Sequence, residues 1–145
     1  MSKQKRPTAS RSKARRAALK YGYRSGLELD IAKSLEERGV KAEYESTKIK
    51  WVDHKVRSYT PDWILPNGII IESKGRFVAA DRRKHLEIKK QYPDLDIRFV
   101  FSNPNAKLSK VSKTTYAQWC KRHGFKHAYK DIPQEWIEEE PNKDE

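Results

Sequence analysis

Between residues 25 and 39, Leu27, Ile31 and Leu35 recur at every fourth position with polar residues between them. That spacing predicts a helix with one apolar stripe. Ser25-x-x-Glu28 at its start is a capping-box pattern, in which Glu28 would answer the Ser25 cap, and Gly39 marks its end. Residues 42–52 and 56–60 alternate apolar and polar positions and read as strands, with Asp53-His54 as the tip of a local hairpin. Pro66-Asn67-Gly68 is a turn signal between a short strand at 63–65 and the β-branched run Ile69-Ile70-Ile71, which ends by Gly75. Residues 81–91 read as a helix closed by Pro93, and 95–101 as a strand. Phe99-Val100-Phe101 is apolar on both faces, which predicts a covered, central strand. After the loop Asn103-Pro104-Asn105, a third helix over about 114–123 stops at Gly124, and a short strand covers 125–129. The order α, β, β, β, α, β, α, β predicts an α/β fold, a mixed sheet with helices packed on it.

Composition narrows the class. A chain of 145 residues is sized for one domain. Only 36% of it is hydrophobic, yet 4 Trp, 7 Tyr and 4 Phe supply large side chains for a core. No apolar run is long enough to span a membrane, and no apolar segment follows the basic start as in a secretory signal. Cys120 stands alone, which excludes an intrachain disulfide framework and a cysteine-cage zinc site. A reducing cytoplasm is the expected compartment, and Cys120 is expected to be packed. His54, His85, His123 and His127 show no metal-ligand spacing.

Charge points to a partner. Of the net +12, Lys3, Lys5, Arg6, Arg11, Lys13, Arg15, Arg16 and Lys20 place +8 in residues 1–20, which contain no acid. Residues 135–145 carry −5, so the body between is itself +9. A basic body with a basic arm is the footprint of a polyanion binder. The arm, 1–20, is expected to be disordered when free, and the acidic C-terminus to be a solvated tail. Arg76, Arg82, Arg83 and Lys84, close behind the Ile run, are candidates for phosphate contacts along with the arm.

Inside this basic chain, Pro61-Asp62 precedes the turn and Glu72-Ser73-Lys74 follows it. Side chains alternate along a strand, so Ile70, Glu72 and Lys74 share one face, and Asp62 lies near Glu72 across the hairpin. Two neighbouring carboxylates repel unless a cation joins them, and oxygen ligands suit Mg²⁺ or Mn²⁺. A metal there could activate water toward a phosphodiester, with Lys74 orienting the water or stabilising charge.

These residues resemble the signature of the restriction-endonuclease-like nucleases, and more closely the phage endonuclease I family of the T-seven type. The likeness runs in order through Tyr23-Arg24-Ser25-Gly26-Leu27-Glu28, Glu43-Tyr44-Glu45, Tyr59-Thr60-Pro61-Asp62, Leu65-Pro66-Asn67-Gly68-Ile69 and Glu72-Ser73-Lys74-Gly75. It continues through Asp81 to Leu86, Leu95 to Arg98, Val100-Phe101-Ser102, Lys121 to Gly124 and Ile132 to Ile137. The resemblance implies a restriction-endonuclease-like fold in a strand-exchanged homodimer, with a nuclease domain at 21–138 and a tail at 139–145. Residues 46–59, which contain no proline, would be the bridge between domains rather than a hairpin. It implies catalysis by Glu28, Asp62, Glu72 and Lys74, with Glu28 reaching the site from the other subunit. Asp62, Glu72, Glu28 and the Ser73 carbonyl would hold metal, two Mg²⁺ or Mn²⁺ ions per site. The implied substrate is branched DNA, above all four-way (Holliday) junctions. The residues alone also allow a duplex-specific nicking or restriction-type nuclease, or a non-catalytic nucleic-acid-binding protein.

Overall fold

The computed structural model describes residue 16 and residues 18–141. Its elements run α1 (Gly26–Glu37), β1 (Glu43–Tyr44), β2 (Ile49–Val52), β3 (Val56–Tyr59), β4 (Trp63–Ile64), β5 (Ile70–Lys74), α2 (Ala79–Gln91), β6 (Ile97–Phe101), α3 (Tyr116–His123), β7 (His127–Tyr129) and α4 (Gln134–Glu138). Strands β1, β4, β5, β6 and β7 lie side by side in that order. The pairs β1–β4 and β4–β5 are antiparallel, and β5–β6 and β6–β7 are parallel. The sheet is mixed because a tight turn joins β4 to β5, whereas α2 and α3 carry the chain across to β6 and β7.

Helices cover both faces. On one, Ile31 and Leu35 of α1 pack with Trp63, Ile71, Val100, Ile132 and Trp136. On the other, Ile88 of α2 and Trp119 and Cys120 of α3 pack with Ile70, Phe99, Phe101 and Phe125. Neighbours in sequence thus serve opposite layers, as the two-residue period requires. All five residues of β6 are buried, the covered central strand expected from its apolar run.

Several boundaries differ from the sequence reading, each for a tertiary reason. Helix α2 starts at Ala79, before Asp81, and Val78 gives it no side-chain cap. Asp81 instead sits in its first turn, where its charge suits the helix dipole. Helix α3 starts after Thr115, which forms a full capping box with Gln118. The strand expected over 42–52 breaks at Glu45, whose φ is 48°.

The acidic end is not simply a solvated tail. Residues 134–138 form α4, Trp136 is buried, and Glu139 forms an ion pair with the buried Arg98, which Asp96 also holds. Asn67 in the β4–β5 turn donates to the Trp136 and Glu139 carbonyls at 2.7 and 3.0 Å, which ties the same segment down. The expected arm, 1–20, also ends sooner. Residues 18–20 are helical and Ala18 is fully buried, while residues 1–15 lie outside the described residues.

Residues 49–59 form the local hairpin. Ile49 pairs with Tyr59 and Val52 with Val56. The Gln91 side chain accepts from the Val52 N–H and donates to the Val52 carbonyl, both at 2.8 Å, clasping the hairpin to α2. Its tip places His54 at φ 59°. Strand exchange is a property of two chains; one chain closes this segment on itself.

His85 of α2 is fully buried against Tyr59 and Phe99, and neither ring nitrogen has a hydrogen-bond partner among the described residues. Burial first, then the charges of Lys74 and Lys84, hold its pKa well below the ordinary 6.5. A histidine buried neutral supports the fold above its unfolded pKa, and that support is lost as pH falls toward its folded one. Replacing His85 with Leu removes both orphaned nitrogens at similar volume. Stability at neutral pH is expected to rise by about 1 kcal/mol. The gain should widen below pH 6.5, the ordinary value, because leucine has no proton to take up on unfolding. Chemical denaturation at several pH values checks this; a loss of stability at every pH would show that the ring has an essential polar partner.

Candidate active site

Two local structures bring the acids together. At the start of α1, Ser25 Oγ accepts the Glu28 N–H at 3.1 Å. The reciprocal half of the capping box is displaced by one residue: Glu28 Oε1 accepts the N–H of Arg24 at 2.9 Å. Glu28 Oε2 accepts the Tyr44 hydroxyl at 3.0 Å. Glu28 therefore helps close the helix and still presents a carboxylate to the sheet, buried to 4% exposure.

The β4–turn–β5 hairpin supplies the rest. Trp63 is paired with Ile71, and one step further Asp62 falls opposite Glu72. Asp62 Oδ2 accepts both the N–H and the hydroxyl of Ser73, each at 2.9 Å, which fixes the carboxylate on rigid strand backbone. Lys74, two residues beyond Glu72 on the same face, pairs with Asp81 at 3.6 Å. The sheet and α1 thus place Glu28, Asp62, Glu72, Ser73 and Lys74 of one chain in one region, whereas the family resemblance has Glu28 arriving from the other subunit.

Their electrostatics are unbalanced. Glu72 is 3% exposed, and its Oε1 has no hydrogen-bond partner among the described residues. Burial, then the charge of Asp62, push its carboxyl well above the usual carboxylate range, against the pull of Lys74. Glu28 is raised for the same two reasons in the same order, with Tyr44 and Arg24 opposing. Anions buried this closely need a cation. An orphaned carboxylate oxygen among oxygen-only donors fits a hard divalent ion such as Mg²⁺ or Mn²⁺, so the residues present suit the expected metal.

Two participants were not singled out from the sequence. Glu45 directly follows β1, and its N–H donates to the Asp62 carbonyl at 3.0 Å. One oxygen each from Glu28, Glu45 and Asp62 lie within 4.8 Å of one another. Among the described residues no histidine or cysteine joins them. Arg24 reaches into this group from the other side, with Nη2 at 2.7 Å from Glu45, 3.0 Å from Asp62 and 3.8 Å from Glu28. The motif Glu43-Tyr44-Glu45 was the available signal, but the positive φ that turns Glu45 inward is invisible in it.

The candidate phosphate contacts divide. Arg16, Lys20, Arg76 and Arg83 are exposed, where a polyanion could reach them. Arg82 donates to the Phe77 carbonyl at 2.6 Å, and the Lys84 ammonium lies 5.0 Å above the Tyr59 ring, so both also serve the fold. Lys3, Lys5, Arg6, Arg11, Lys13 and Arg15 lie outside the described residues.

Known proteins are similar to this sequence. The chain is 50% identical over 123 residues to Endonuclease I of Escherichia phage T7, an overlap of 84% of this chain and 82% of that protein. It is 48% identical over 126 residues to Endodeoxyribonuclease 1 of Enterobacteria phage T3, covering 84% and 80%. The family model described as phage endonuclease I matches residues 9–144, which extends into the arm and the tail that the motif blocks leave out. With that match spanning arm, sheet, carboxylate site and C-terminal helix, the chain belongs to the phage endonuclease I family.

Proposed function

We propose that this nuclease is a divalent-metal-dependent, structure-selective DNA endonuclease that resolves four-way junctions and other branched DNA as a homodimer, in the cytoplasm of the phage host. The observation that carries the reading is the group of buried acids, Glu28, Asp62 and Glu72, with Lys74 beside them in a chain of net charge +12. Acids alone would repel a phosphate backbone; with cations bound they attract it.

In this reading Asp62 and Glu72 hold the metal, with Glu28 and the Ser73 carbonyl completing its oxygen shell. Two ions per site are what the family resemblance implies. Bound metal supplies an activated water and neutralises phosphoryl charge. Ser73 keeps Asp62 oriented through its N–H and hydroxyl. Lys74 holds its ammonium where charge builds on the phosphate, and Asp81 steadies it. Arg76, Arg83 and the basic arm grip phosphates away from the scissile bond. Such contacts carry no base sequence, so selectivity follows the shape of the junction.

The test compares a four-way junction with a linear duplex of the same sequence, in Mg²⁺ and in EDTA. Junction cleavage is expected to be at least about 100-fold faster than duplex cleavage and to vanish in EDTA. Equal rates on both substrates would instead make this a duplex nuclease of the same fold. Binding without any cleavage would make it a non-catalytic binder.

A further inference from the structure

The Arg24 guanidinium stands where a cation belongs. Its Nη2 touches Glu45 and Asp62 at 2.7 and 3.0 Å and approaches Glu28 at 3.8 Å, the same three carboxylates that lie within 4.8 Å of one another. One of these contacts is an aligned hydrogen bond, Nη2 donating to Asp62 Oδ1 at 3.0 Å, and the others are ion pairs. Glu45 Oε1, although buried, has no aligned hydrogen-bond donor among the described residues even with the guanidinium beside it. The Arg24 side chain is itself 67% exposed, so among the described residues little is packed over it. Independently, Glu72 Oε1 is buried with no hydrogen-bond partner among the described residues, so the guanidinium does not serve every acid of the site.

We propose that Arg24 is an exchangeable counter-cation: it gathers Glu28, Glu45 and Asp62 in the metal-free protein and is displaced when the divalent ion enters. This rests on the metal-dependent reading above. The same charge cannot occupy the same carboxylate oxygens as a metal, so the two compete. The acids are buried but the Arg24 side chain is mostly exposed, so the guanidinium can swing into solvent without unpacking the fold, which is what an exchangeable occupant requires. Arg24 is thus a positioning residue, and its removal has opposite effects on the two states. Without metal, the acids lose their cation and the fold weakens. With metal, a competitor is gone and binding tightens.

The test uses the full chain, Arg24→Gln and Arg24→Lys, with Mg²⁺ alone as the probe. Calorimetry should show Mg²⁺ binding Arg24→Gln about three- to tenfold more tightly than the wild type, with Arg24→Lys between them. Melting of Arg24→Gln should be lowered in EDTA and restored to the wild-type value in saturating Mg²⁺. In the wild type itself, the Arg24 Nε–Hε NMR signal should move on Mg²⁺ addition as the guanidinium leaves the carboxylates. That last measurement needs no variant to fold. Equal affinities, a melting deficit that persists in Mg²⁺, or an unmoved Arg24 signal while Mg²⁺ binds would each overturn the role of Arg24 alone. Absence of Mg²⁺ binding in both wild type and variants would overturn the metal-dependent reading and this role with it.

Discussion

Glu72→Gln will cut DNA at least about 1,000-fold more slowly than the wild type, while four-way junction binding remains detectable. The carboxamide keeps the shape of the side chain but offers the metal no charge. The same substitution should make the metal-free protein more stable. Glu72 is a buried acid with one oxygen unpartnered and a pKa raised by burial and by Asp62. A group raised in the fold lends stability below its unfolded value of 4.5, and that contribution is lost as pH rises through the folded value. Glutamine does not titrate. The variant's advantage in EDTA should therefore grow from pH 4.5 upward and reach roughly 1–3 kcal/mol once the wild-type carboxyl ionises. Saturating Mg²⁺ should shrink it, because metal stabilises only the form with a ligand charge. Cleavage rates together with thermal melts across pH, with and without metal, check all of this. Near-normal cleavage, or a stability gap that ignores both pH and metal, would remove Glu72 from the metal site.

Opposite effects on activity and stability follow from how the site is built, and they explain which parts of it were readable in the sequence. Asp62, Glu72 and Lys74 were legible because one turn and a two-residue period settle their mutual placement. Helix α1 was legible from its stripe and its Ser25 cap. Arg24 and Glu45 were not, since their meeting depends on the edge pairing of β1 with β4 and on a positive φ at Glu45, neither written in a local pattern. The C-terminal segment was misjudged for a related reason. Its charges look solvated in the sequence, but Arg98, some forty positions earlier, supplies the buried partner of Glu139. Local periodicity reports which face a side chain takes; it does not report which distant group waits there.

Co-expressed Glu28→Ala and Glu72→Ala chains should regain cleavage although each variant alone is inactive. Glu28 and Glu45 precede the segment 46–59, and Asp62, Glu72 and Lys74 follow it. A single chain folds that segment into the β2–β3 hairpin, whose tip holds His54, a residue with a Cβ, at φ 59°. If the tip straightens, that strain is released, and the pairs from Ile49–Tyr59 to Val52–Val56 can re-form between two chains with the same partners. Each site then takes its acids before the segment from one chain and those after it from the other. In a mixed dimer so exchanged, one site collects both defects and the other collects none. Random pairing makes half of the dimers mixed, so about a quarter of wild-type sites should be active. Without exchange, every site keeps one defect and the mixture stays as inactive as its parents. Junction cleavage by the co-purified mixture distinguishes the two: recovery near a quarter supports exchange, and no recovery despite mass-verified mixed dimers places each site within one chain.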